Sequence, residues 1–340
     1  MPKPTVTRRH FNKSLMAAGG IILLCKRVRA AEFSMRQYHN QFVESPLHKR
    51  LVEMWAAVSA ETGGRVQVEV FPENNHPKAG DPGPMQMLLH GELEFSAVSG
   101  LGLASLVPAA DVQSTPFAFR TEAQVFRALD GDLGDYLREE LKAKGLYAVP
   151  RGCFDNGLHQ ITCATRPIRA ANDMQGLKIR VPGSAMYLEF FKSFGAVTTS
   201  MNISNLYAAL KSGLVEAQDD PVEIAELFKL YEVQKYMSLT NHSWSGFNLL
   251  ANLKVWQGLP VDVQRVIESN TQKFTRLQRA DAAASNGPQA RNHLIQRGMV
   301  LNDVDTASFR AGLGSFYPRW KQWIGQRATS LLEAQVGRLG

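Results

Sequence analysis

Short runs of alternating apolar residues recur along this chain, and each is followed by a stretch with helical spacing. Val66, Val68 and Val70 alternate with polar residues, residues 94–99 and 146–149 repeat the pattern, and Leu177, Ile179 and Val181 alternate with Lys178 and Arg180. Between these runs, Leu47, Leu51, Met54, Trp55 and Val58 share one helical face behind a Ser45-Pro46 cap, with Gly63-Gly64 as the stop. Asp81-Pro82 opens a short helix carrying Met85, Leu88 and Leu89, and residues 121–145 form a helical region broken at Gly131. Further on, helices at residues 202–212 and 222–231 flank a strand at 214–218. Residues 260–298 are helical with an interruption near Asn286-Gly-Pro288, and Phe316, Tyr317, Trp320 and Trp323 mark a terminal amphipathic helix. A chain that repeats strand and helix in this order folds as α/β, with parallel or mixed sheets and helices on both faces.

Arg180 ends one of these strands. Pro182 and Gly183 stop it, and a helical pattern over residues 184–195 follows, in which Met186, Phe190, Phe191 and Phe194 read as core. Open α/β sheets place ligand groups at such strand ends, and a guanidinium there can clamp a carboxylate through two parallel hydrogen bonds. A solvated surface arginine is the alternative.

The formal net charge is +7, a balance that nucleic-acid binders share, but its location argues otherwise. Residues 1–30 hold seven Lys or Arg and no acid, so they account for the whole excess and the remainder is formally neutral. Those residues read as an export leader. Thr7-Arg-Arg-His-Phe-Asn-Lys13 is similar to the twin-arginine motif, an apolar stretch over residues 14–24 follows, and Val28-Arg-Ala30 offers a small-residue cleavage site. A retained membrane anchor is the alternative. Beyond the leader lie Cys153 and Cys163, near the ends of two adjacent strand-like runs at residues 146–151 and 157–164, which in an oxidising compartment either pair or remain core thiols. The eight histidines show no metal-binding spacing, and there is neither a Gly-x-Ser-x-Gly elbow nor a phosphate loop.

A set of spaced motifs then occurs in one order between residues 156 and 252: Asn156-Gly157, Arg166-Pro-Ile168, Asp173-Met-Gln-Gly-Leu-Lys-Ile-Arg-Val-Pro182, Leu206-Tyr-Ala-Ala-Leu-Lys-Ser-Gly213, Val215-Glu-Ala-Gln218 with Pro221, Tyr231-Glu-Val-Gln-Lys235 and Thr240-Asn-His242. The set resembles the extracytoplasmic solute-binding subunits of TRAP transporters, of the dicarboxylate-binding-protein (DctP) type. The resemblance implies an α/β, two-lobed periplasmic binding protein with mixed sheets, helices on both faces and a ligand cleft between the lobes. Residues 1–31 would be the leader, 32–156 with 246–284 lobe I, and 157–245 with 285–340 lobe II. It implies a receptor that passes an organic acid to membrane subunits, with no catalysis, cofactor, metal or nucleic acid. An exported enzyme acting on a small carboxylic acid, or a module that presents its ligand to a sensor, are the competing readings.

By the same resemblance Arg180 matches the arginine that pairs with the ligand carboxylate. His159 stands where many members carry a second arginine, and Asp220 where asparagine is usual. Losing one cation and gaining one carboxylate favours a monocarboxylate bearing a hydroxyl or keto group, because a second ligand carboxylate would meet Asp220. The alternative for His159 is a ring satisfied by neighbouring backbone. Trp244 and Phe154 either wall the pocket, admitting an aromatic acid, or lie in the core. Asn40, Asp81 and Ser99, at expected element ends of the first lobe, are pocket candidates with turn or cap roles as the alternative.

Overall fold

The computed structural model describes residues 31–73 and 83–340. The expected leader and Asp81 lie outside the described residues. Among the described residues ten strands form the sheet: β1 (Phe33–Tyr38), β2 (Val66–Phe71), β3 (Phe95–Ser99), β4 (Leu146–Cys163), β5 (Lys178–Val181), β6 (Val197–Ser200), β7 (Ala217–Pro221), β8 (Tyr236–Leu239), β9 (Trp244–Asn252) and β10 (Val300–Asp303). Their order is β2-β1-β3-β9-β4-β7-β5-β6, with β8 paired to β4 and β10 to β8. In each half the strands followed by helices run parallel, β1 with β2 and β3, β5 with β6 and β7. The sheet is mixed because β9 runs antiparallel to β3 and β4, and β4 antiparallel to β7 and β8.

The helix Pro46–Glu61 forms where expected. The Ser45 side chain accepts from the His48 N–H, and the apolar stripe Leu47, Leu51, Met54, Trp55 and Val58 is buried. That stripe packs with Phe95, Phe154, Phe247, Ile267 and Phe274 into one core cluster. A second cluster joins Phe190 and Phe191 to Phe316, Tyr317 and Trp320, and a third gathers Leu206, Leu210, Ile224 and Met237. The aromatic helix, Phe316–Ile324, buries three of its four rings, while Trp323 faces outward and is 53% exposed; it is not terminal as expected, since Gly325 turns the chain into a further helix, Gln326–Val336.

β4 departs from expectation. Two adjacent strands read from the alternation are one strand of 18 residues, whose first part pairs with β9 and whose second pairs with β7 and β8. Register shifts between Ala148 and Cys153 and between Asp155 and Gly157 interrupt the pattern, which is why the sequence reads as two runs. One strand thereby carries both halves of the molecule. The strand expected at residues 214–218 lies at Ala217–Pro221 instead, because Gly213 turns the chain at φ 72° and Leu214 is exposed. Asp219 and Asp220 therefore sit inside β7 and point to opposite faces.

Cys153 and Cys163 are both free and buried. They are ten residues apart on the same strand, about 33 Å at the usual rise, whereas a disulfide needs Cα atoms within about 7 Å. Burial pushes the Cys153 thiol up to about 12. Both thiols are expected to resist alkylation in the native protein and to react on denaturation. Peptide mapping that found the two joined would contradict this placement.

Candidate functional site

A cavity of about 440 Å³ opens where the two halves of the sheet meet. The C-terminal ends of parallel strands reach it from both sides. Asn40 and Gln41 follow β1, Ser99 ends β3, Arg180 lies near the end of β5, Ser200 ends β6 and Asp220 lies near the end of β7. The strands passing between the halves complete the wall with Asn156 and His159 from β4 and Ser245 and Phe247 from β9.

Arg180 is only 2% exposed. Its Nε and Nη2 donate to the Met201 carbonyl at 3.1 and 2.9 Å, and Nη1 donates to Asp220 Oδ2 at 2.8 Å. A guanidinium has five N–H groups, so one remains on each terminal nitrogen. Met201 fixes one edge of the fork, which leaves little freedom for the rest. Burial raises the Asp220 carboxyl to about 6, although Arg180 and His159 pull it down.

Behind this pair runs a second polar chain. His159 Nδ1 lies 2.8 Å from Asp219 Oδ1, and Nε2 lies 2.7 Å from Ser245 Oγ, which also accepts from Asn156 Nδ2 at 2.9 Å. A carboxylate only accepts, so Nδ1 carries the proton and the ring orientation is set. His242 Nε2 lies 3.0 Å from the same Asp219 oxygen, and its Nδ1 lies 2.8 Å from Thr240 Oγ1. Burial alone would raise the Asp219 carboxyl, but the two imidazoles hold it well below the usual carboxylate range. Burial also lowers His242, whose ring stacks on Phe190. The His159, Asp219 and His242 donor atoms lie within 4.8 Å of one another, and their mutual contacts account for that closeness.

Of the residues singled out from the sequence, Arg180, His159, Asp220, Asn40 and Ser99 line this one cavity. Trp244 and Phe154 do not. The Trp244 indole N–H donates to Asp155 Oδ1 at 2.7 Å inside one core cluster, and Phe154 is fully buried in another. Of the two alternatives the sequence leaves for each ring, both take the core one. Asp219, Ser245 and the Met201 carbonyl were not singled out. Asp219 is adjacent to a candidate, but nothing along the chain places Ser245 opposite His159.

The model of a protein family described as bacterial extracellular solute-binding protein, family 7, matches residues 39–322. The chain is 29% identical over 255 residues to the 2,3-diketo-L-gulonate-binding periplasmic protein YiaO of Escherichia coli K12, covering 75% of this chain and 76% of that one. It is 28% identical to the C4-dicarboxylate-binding periplasmic protein DctP of Rhodobacter capsulatus, covering 77% and 78%. A TRAP periplasmic solute-binding protein from Polaromonas sp. JS666, bound to D-erythronate, is 26% identical with a TM-score of 0.82, covering 89% of this chain and 98% of that one. The fold is also that of a counterpart from Sulfitobacter sp. NAS-14.1 holding β-D-galacturonate, at TM-score 0.83 and 24% identity, covering 89% and 99%.

Proposed function

Because the chain belongs to the bacterial extracellular solute-binding proteins of family 7, we propose that it is the periplasmic receptor of a TRAP transporter, capturing a hydroxy- or keto-monocarboxylate and delivering it to membrane subunits. The observation that carries this reading is the buried Arg180 at the cavity, with an N–H left on each terminal nitrogen for a carboxylate. Around it Ser99, Ser200, Ser245, Asn40 and Asn156 supply hydroxyl and amide groups suited to a ligand rich in hydroxyls. With Trp244 and Phe154 in the core, Phe247 is the aromatic ring among the described lining residues, so an aromatic acid would pack against that ring alone. A second ligand carboxylate would add one more negative charge beside Asp219 and Asp220, with Arg180 as the single guanidinium among the described lining residues, and is disfavoured. The D-erythronate and 2,3-diketo-L-gulonate named for two relatives are monocarboxylates of this kind.

Residues 32–156 with 246–284 and residues 157–245 with 285–340 serve as the lobes, closing over the ligand and excluding water. Residues 1–31 direct export by the twin-arginine route.

A thermal-shift panel on the purified protein tests the ligand class. D-erythronate, sugar acids and 2-keto acids are expected to raise Tm, with stabilisation near 2.7 kcal/mol at about a hundredfold excess over Kd. Succinate is expected to give none. Stabilisation by dicarboxylates alone would rule out this role for Asp220.

A further inference from the structure

The cavity holds its own carboxylate against the clamp. Asp220 occupies Arg180 at 2.8 Å, and both are almost fully buried. Asp219 is the second buried acid, facing His159 and His242. With both imidazoles neutral, Arg180, Asp219 and Asp220 together carry one net negative charge, and with one ring protonated they carry none. A ligand carboxylate adds a further negative charge beside these buried groups, where uncompensated charge is strongly disfavoured.

We propose that ligand capture takes up one proton from solvent onto Asp220, which yields Arg180 to the ligand carboxylate and, as a neutral acid, donates a hydrogen bond to the ligand. No covalent bond changes. The empty site plus one proton plus one ligand anion gives the complex. This rests on the receptor reading above and adds the charge balance of the same site.

The groups facing Asp220 favour it as the proton's destination. Arg180 comes from β5, His159 from β4, and Asp219 is its neighbour on β7, turned to the other face. Tyr187, in the helix Ala185–Lys192, has its hydroxyl tied to Ser243 at 2.6 Å, and burial holds that phenol protonated. The helix after β7, Val222–Leu227, carries Glu223, whose charged surroundings are Asp155, Lys49 and Asp281. His159 already donates to Asp219, and His242 is held neutral by burial. Asp220 starts from about 6 in the empty protein, and a neighbouring anion raises it further. At pH 8 the empty site is therefore deprotonated, while the complex keeps its proton.

Calorimetry with D-erythronate, D-galacturonate and succinate at pH 5.5 to 8.5, in buffers of different ionisation enthalpy, reads the proton directly. For an acid that binds, uptake approaching one proton at pH 8 is expected, with Kd weakening about tenfold per pH unit above about pH 6. In Asp220→Asn the uptake disappears, Kd no longer varies with pH, and affinity at pH 8 exceeds that of the unaltered chain. Binding without uptake overturns the proton coupling alone. Uptake that survives in Asp220→Asn and vanishes in His159→Gln assigns the proton to the imidazole and equally overturns it. No binding by any of the acids at any pH removes the receptor reading, and this inference with it.

Discussion

Arg180→Ala is expected to abolish organic-acid binding and to destabilise the empty protein by about 3–5 kcal/mol at pH 8, the usual effect of orphaning one member of a buried pair. The strand pattern alone would assign Arg180 to binding only. The structure adds a second role, because the guanidinium compensates Asp220 and satisfies the Met201 carbonyl. The sign with pH follows from linkage. Asp220 titrates near 6 with Arg180 present, and without that cation its value climbs higher. Between the two values the folded variant holds a proton that the folded parent has released, so the variant loses relative stability as pH rises through that window. Melts at pH 5 and pH 8 should show a small deficit at the lower pH and the full one at the higher. Adding Asp220→Asn should recover most of the stability and none of the binding. If the double variant is as unstable as the single one, the pair is not the cause. Arg180→Lys should keep most of the stability and lose much of the affinity, since a point ammonium cannot hold Met201, Asp220 and a carboxylate at once.

Much of this arrangement was legible in the sequence, and the gaps have local causes. The helix Pro46–Glu61 carries its cap and a clean apolar stripe, so its position and buried face follow directly. Arg180, His159 and Asp220 could be named from spaced motifs, but their mutual geometry could not. One strand's alternation gives faces and leaves the register against its partners open. That register places His159 beside Asp219 and Ser245 and leaves Asp220 against Arg180. β4 reads as two strands because its bulges break the period. Asp219 looked like the residue after a strand, and the turn at Gly213 moved the strand onto it.

The bulge in β4 also contains a position outside the clamp that tolerates little change. Gly157 has φ 117°, a region that residues with a Cβ rarely enter, and an added Cβ would lie 2.7 Å from Asn286 Nδ2. Asn286 cannot easily yield. Its amide donates to the Asn156 and Ala282 carbonyls at 3.1 and 3.0 Å, and its Oδ1 accepts from the Glu223 N–H at 3.0 Å. It thereby ties the end of the helix Val261–Ser285 to β4 and to the helix Val222–Leu227. Gly157→Ala combines backbone strain of about 1–3 kcal/mol with an overpacking term of similar size, roughly 2–6 kcal/mol in all. Gly176→Ala separates the two terms, because its φ is 71° but nothing lies within 4 Å of the added carbon. It should show the strain alone, about 1 kcal/mol. Asn286→Ala removes the obstacle while orphaning its partners, so Gly157→Ala with Asn286→Ala should be less destabilised than the sum of the single changes. Denaturant melts of the three variants close the cycle, and strict additivity would exclude the clash. Ligand affinity should fall with Gly157→Ala beyond what stability explains, because the neighbouring Asn156 amide holds Ser245, and Ser245 in turn holds the His159 ring at the cavity wall.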